Sequence, residues 1–111
     1  MARLPQGGRA ILDMRKIEDY CLDPGHLHGR HKARVFLRAL GITRADAIWL
    51  GQALLEGIRE NDATEIATDR FGRQWRVDLP ITRHGQHAVV RTIWIIRTGE
   101  DMPRFVTCWV R

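Results

Sequence analysis

The chain has 111 residues, with 18 lysines and arginines against 13 aspartates and glutamates, a formal charge of +5, and 44% hydrophobic and 28% charged residues. A chain this short supports one core rather than two, and the composition excludes a disordered or fibrous chain. No apolar run approaches the roughly 20 residues of a membrane-spanning helix, and Met1 to Gly8 lacks the apolar stretch of a signal peptide. No membrane partner is expected, the buried reduced thiols expected of Cys21 and Cys108 favour a cytoplasmic location, and any export would come from a larger parent protein.

Pro5, Gly7 and Gly8 mark residues 1–10 as a loose lead-in, with no core expected before Ile11. Asp13 is placed to cap a short helix running to about Cys21, in which Met14, Ile17, Tyr20 and Cys21 recur at helical spacing. Asp23-Pro24-Gly25 stops it, and His26 to Gly29 forms a loop. From Arg30 to Leu40 the apolar set Ala33, Phe36, Leu37 and Leu40 has the period of an amphipathic helix, closed by Gly41 as a left-handed C-cap. A third helix starts at Thr43, with Thr43 and Asp46 as a capping box. It runs to about Glu60 and buries Ala47, Leu50, Leu54 and Ile58.

After Asn61-Asp62 the period changes from 3.6 to 2. Strands are predicted over Thr64–Thr68, Gln74–Ile81, His87–Arg97 and Arg104–Val110, with turns at Asp69–Arg73, His84–Gln86 and Gly99–Pro103. Trp75, Val77, Leu79 and Ile81 share one face of the second strand, and Pro80 marks an edge or a bulge there. Simple alternation puts Phe105, Thr107 and Trp109 on one face of the last strand. Helices followed by a meander give an α+β class: two to three N-terminal helices on one face of a four-stranded antiparallel sheet. Cys21 and Cys108 sit in apolar periodic segments, which favours two buried reduced thiols over a bridge.

Arginine far outnumbers lysine, with Lys16 and Lys32 the only lysines. Guanidinium groups bind phosphate in a fork and stack on bases, so the bias suits RNA or another polyanion; an arginine-rich proteome is the plain alternative. Arg30, Arg34 and Arg38 line one side of the second helix, with Arg97 on the third strand a further candidate nucleic-acid contact. His31 and Lys32 lie near that helix's N-terminus, where unpaired amides and the helix dipole attract anions. His31 is thus a candidate acid or base, against the simpler reading of a solvated helix face. Arg91 sits in a mostly apolar strand and needs a carboxylate or an anionic ligand, and Asp78 on the adjacent strand is its internal partner. Thr107 gains interest only beside Arg91 or His31. His26, His28 and His31 form too sparse a pattern for a zinc site, so no metal or cofactor is assigned.

The segments DPxHxxGRHKARVF (Asp23 to Phe36), LGIT (Leu40 to Thr43), VDLPIT (Val77 to Thr82) and VVRTIWIIR with PRFVTCWV (Val89 to Arg97, Pro103 to Val110) carry a resemblance. They resemble a bacterial family of unknown function, met as stand-alone proteins and as C-terminal modules of polymorphic toxins. More distantly, helices leading into a sheet that closes on an apolar-apolar-Thr-x-aromatic strand are similar to the barnase, colicin and RelE-type metal-independent RNases. That resemblance implies a toxin cleaving RNA through 2′-hydroxyl attack on the adjacent phosphate. His31 or Lys32, Arg91 and Thr107 are the implied catalytic residues, and an immunity protein the implied partner. A clear second acid or base is missing from the pattern; His84, His87 and Asp78 are the candidates for it.

Two other classes compete. A non-catalytic binding protein of a mobile element, such as an inhibitor of a nucleic-acid-binding defence complex, needs only an extended basic stripe. A homodimer is the other, pairing through sheet surface supplied by Trp75, Trp94 and Trp109.

Overall fold

The computed structural model describes residues 2–111. Three helices, α1 (Met14–Lys16), α2 (Arg30–Leu40) and α3 (Ala47–Glu60), precede strands β1 (Ala63–Asp69), β2 (Gly72–Arg83), β3 (Gln86–Arg97) and β4 (Arg104–Val110). The strands form one antiparallel meander in the order β1-β2-β3-β4. On it, α2 packs over β3 and β4, and α3 over β2. This is the α+β arrangement that the change of period predicts.

Local chemistry sets the helix limits. Asp13 Oδ1 accepts from the Arg15 amide at the start of α1, and the chain continues as a π-helical turn over Ile17–Cys21, closed by the Leu22 amide on the Ile17 carbonyl. Gly41 ends α2 with φ of 63°, a conformation that costs a residue bearing a Cβ. Thr43 and Asp46 make the expected capping box, one short 3-10 turn ahead of α3. Asp46 also holds Arg83 at 3.0 Å, tying α3 to the end of β2. No helix among the described residues is long and apolar enough to cross a membrane.

The core lies between helices and sheet. It contains Ile17, Phe36, Leu50, Leu54 and Ile58 from the helical half, and Val77, Leu79, Val90, Trp94, Phe105 and Cys108 from the sheet. Leu4 joins it at 3% exposure, and the Ala63 amide donates to the Ala2 carbonyl. Within the segment expected as a loose lead-in, Leu4 is thus anchored in the core, while Ala2, Arg3, Gln6, Gly8 and Arg9 stay exposed. Leu37, assigned to the buried stripe of α2, is instead 54% exposed. Trp75 and Trp94 face the core rather than a free sheet surface. The homodimer expectation thus loses two of its three tryptophans.

Two features of the sheet depend on more than alternation. Pro80 pairs with Val89, whose carbonyl accepts from Arg111 on the β4 side. Backbone groups of one residue in an antiparallel strand point the same way, so Val89 turns its polar groups from β2. The missing N–H of Pro80 then faces the side of β2 that β1 leaves open beyond Val77. On β4, the register shifts from Ile93↔Thr107 to Trp94↔Phe105, leaving Val106 as a bulge. An extra residue reverses the sense of alternation beyond it. Phe105 and Cys108 consequently both enter the core, opposite Trp94 and Thr92, while Thr107 pairs with Ile93. The expectation that Phe105 shares a face with Thr107 and Trp109 is corrected by this bulge.

Thr92, fully buried, donates its hydroxyl to the Val77 carbonyl at 2.7 Å and accepts from the Trp94 indole at 2.8 Å. Thr92→Val keeps the shape but leaves the indole N–H without a partner. It should cost about 1–3 kcal/mol, read as a lower denaturant midpoint at unchanged slope; a midpoint equal to that of the parent protein would contradict this role.

Candidate functional site

Near the N-terminus of α2, Lys32 reaches across to β4. Its ammonium donates to Thr107 Oγ1 at 2.9 Å and to the Tyr20 hydroxyl at 3.0 Å. It also lies 4.5 Å from the centre of the Tyr20 ring and 5.4 Å from that of Trp109. The π-helical turn, α2 and β4 thus meet on one charge. An ammonium carries three hydrogens, so two are spent on hydroxyls and one remains. Among the described residues no carboxylate pairs with Lys32, whereas Arg83, Arg91 and Arg104 all hold carboxylates.

Close packing of the preceding loop makes this reach possible. A Cβ on Gly29 would stand 2.0 Å from the Tyr20 carbonyl oxygen, so only glycine lets α2 start this near the Tyr20 turn. His26 Nδ1 accepts from the amides of His28 and Gly29, both at 3.0 Å, and its ring meets Tyr20 edge-on at 4.9 Å. That nitrogen is committed to shaping the loop, and no cluster of three metal-ligating side chains forms among the described residues.

The remaining candidates separate. His31, exposed, lines an open cleft of about 430 Å³ together with Lys32, Val35, Trp109 and Val110. Arg91 is the cross-strand partner of Trp109. Its guanidinium is held in a fork by Asp78 at 2.9 and 3.0 Å, and Arg111 approaches the same carboxylate at 3.4 Å. Arg91, followed by Arg111 and Arg76, holds the Asp78 carboxyl below its ordinary value. Arg97 lies at the far end of β3, opposite Gly72. His84 forms the β2–β3 turn with φ of 48°, and His87 bonds Thr82 at 2.8 Å, so neither joins Lys32. Arg30 and Arg34 line a different cleft, on the other flank of α2.

Sequence pattern alone misses three members of the cluster. Tyr20 falls at a helical core position, and nothing in its spacing shows that its hydroxyl meets Lys32. Trp109 reads as a strand aromatic. Cys21 reads as an inert buried thiol, yet its sulfur lies 3.7 Å from Thr107 Oγ1. A hydrogen bond from Cys108, with help from Thr107 and the Lys32 charge, pulls the Cys21 thiol down to about 6 against its burial. Cys108 moves the other way, raised by burial and then by Cys21. The Thr107 hydroxyl thus accepts from Lys32 and lies within hydrogen-bond reach of the Cys21 sulfur.

Against this geometry stand three comparisons. The chain belongs to the family described as Domain of unknown function (DUF6883), which matches residues 3–111. None of the curated proteins matches the sequence. Among solved structures, a chain from a contact-dependent growth inhibition toxin–immunity protein complex of Klebsiella pneumoniae 342 has a similar fold. The TM-score is 0.71 at 14% identity, over 91% of this chain and 99% of that one.

The thiol pair gives a pH test. A Cys21 thiol that ionises at about 6 when folded, against an ordinary 9.0, leaves the folded protein with fewer protons than the unfolded chain between those values. Its contribution to stability is complete above the unfolded value and is lost as pH falls through about 6. Thiolate ultraviolet absorbance should show one group titrating near 6, absent in Cys21→Ser and moved upward in Lys32→Met. A thiolate seen only under alkaline conditions would contradict the arrangement.

Proposed function

We propose that this member of the DUF6883 family is a metal-independent RNase-like toxin domain acting on cytoplasmic RNA, with Lys32 as its phosphate-binding centre. One observation carries the proposal: the Lys32 ammonium is fixed by Tyr20 and Thr107, has no carboxylate partner, and opens beside His31 and Trp109 on a cleft. A cation held ready for negative charge favours a phosphate, and most of all the extra charge of a pentacoordinate phosphorus. The fold likeness is to a chain of a toxin–immunity complex, which favours a role in such a pair; here the chain is read as the toxin, with a neutralising protein as its partner.

In this reading His31 takes the proton from the 2′-hydroxyl as that oxygen forms its bond to the adjacent phosphorus. The bond from phosphorus to the 5′-oxygen then breaks and that oxygen takes a proton from solvent water, leaving a 2′,3′-cyclic phosphate and a 5′-hydroxyl. Imidazole suits the task because its ordinary pKa lies near neutrality. Lys32 gives its remaining hydrogen to a non-bridging phosphate oxygen. Trp109 offers a ring on which a base stacks, a contact worth about 1–3 kcal/mol and tolerant of sequence. Thr107 is a positioning residue: its hydroxyl fixes the ammonium rather than touching phosphate. Arg91, held by Asp78 while Arg111 stands by the same carboxylate, is a reserve cation next to Trp109.

Incubation of the purified protein with total cellular RNA in EDTA, with analysis of the 3′ ends, tests this. Cleavage leaving cyclic phosphates is expected, with Lys32→Met slower by about 10²–10³-fold and His31→Ala by about 10²–10⁴-fold. Thr107→Ser, which keeps the hydroxyl, should stay near the parent rate, while Thr107→Val should fall with Lys32→Met. Intact RNA with the parent protein, or equal cleavage by Lys32→Met, would sink the proposal.

A further inference from the structure

We infer that the cleft on the other flank of α2 is a docking site for an acidic protein segment that inserts an aliphatic side chain between Arg30 and Arg34. This rests on the cleft itself and not on the RNase reading. A helix turns about 100° per residue, so Arg30, Arg34 and Leu37 fall on one flank of α2, and His31 and Val35 on another. The two flanks line separate clefts.

The cleft has a volume of about 450 Å³ and a floor formed by Leu22, Ala33, Leu37 and Ile42. Leu37 is the member left 54% exposed, at a position where the helix period calls for burial. Around this floor stand guanidinium groups. Arg44 is tied to Asp19 at 2.5 Å, but Arg30 and Arg34 pair with no carboxylate among the described residues, nor does Arg38 one turn further on. An aliphatic floor with free cations at its rim is complementary to an apolar anchor flanked by carboxylates.

Chemistry of the lining separates protein from nucleic acid as occupant. Single-stranded RNA stacks its bases on aromatic rings or on guanidinium planes, and an aliphatic floor supplies neither beneath a base. No aromatic residue lines this cleft, whereas Trp109 lines the cleft at Lys32. Arg30 and Arg34, expected from the sequence to meet nucleic acid, are therefore assigned to an acidic protein, which shields their charge while leaving the flank of His31 and Lys32 uncovered.

Amide chemical shifts of the labelled protein, followed during titration, test the assignment. Three probes are used: a glutamate-rich amphipathic helical peptide with a leucine face, the same peptide with serine for leucine, and an oligouridylate. The leucine peptide should move the amides of Ala33, Leu37 and Ile42 saturably, and the serine peptide should not. Leu37→Ser, at an exposed position that folding tolerates, should weaken the leucine peptide by about tenfold, as should Arg34→Glu. The inference is overturned if no saturable movement occurs there. It is equally overturned if oligouridylate moves the same amides and displaces the peptide, which would make the cleft part of an RNA path.

Discussion

A single ammonium group, that of Lys32, joins the two halves of the molecule at the proposed site. Lys32 is half-buried, so it bears only part of the cost of desolvating a cation, and no carboxylate among the described residues offsets it. Two hydrogen bonds from a charged donor return about 1.5–3 kcal/mol each, and the Tyr20 and Trp109 rings add roughly 0.5–2 kcal/mol. The consequence of the arrangement is a positioned charge. Lys16, the other lysine, also reaches β4, but it donates to the Phe105 carbonyl at 3.0 Å. That bond satisfies a backbone acceptor and leaves no comparable centre.

Placement of the charge follows from small departures from regular structure. The π-helical turn brings Tyr20 and Cys21 to β4, and such turns are frequent at functional sites. The bulge at Val106 lets Phe105 and Cys108 enter the core together while Thr107 pairs with Ile93. Gly29 allows α2 to begin against the Tyr20 carbonyl. Each departure serves the same contact, and α2 then divides the surface: cations beside an aromatic ring on one flank, cations around an aliphatic floor on the other.

Much of the fold is legible in the sequence because period and capping are local. Ala47, Leu50, Leu54 and Ile58 bury as their spacing demands, Gly41 caps α2, and the alternation of Trp75, Val77, Leu79 and Ile81 gives the core face of β2. Alternation fails on β4, since a bulge has no signature in a run such as Arg104 to Val110. Leu37 fails for a different reason: a helix period shows which residues share a flank, not whether a neighbouring element covers it. For the site, the sequence singles out Lys32 and Thr107, but Tyr20, Trp109 and Cys21 meet them only through tertiary packing. Arg91 lies beside Trp109 with Asp78 as its partner, and Arg97 lies at the far end of its strand.

Because the chain has only two lysines, the Lys32 side chain can be watched directly. Lysine labelled at the ε-methylene gives two resonances, distinguished by Lys16→Arg, and a 2′-deoxy dinucleotide supplies the phosphate without the attacking hydroxyl. The account predicts a saturable shift of the Lys32 signal, reduced in Thr107→Val, with the Lys16 signal unmoved. A Lys32 signal that stays in place through the titration, or moves no more than that of Lys16, would contradict the assignment of this ammonium as the phosphate-binding centre.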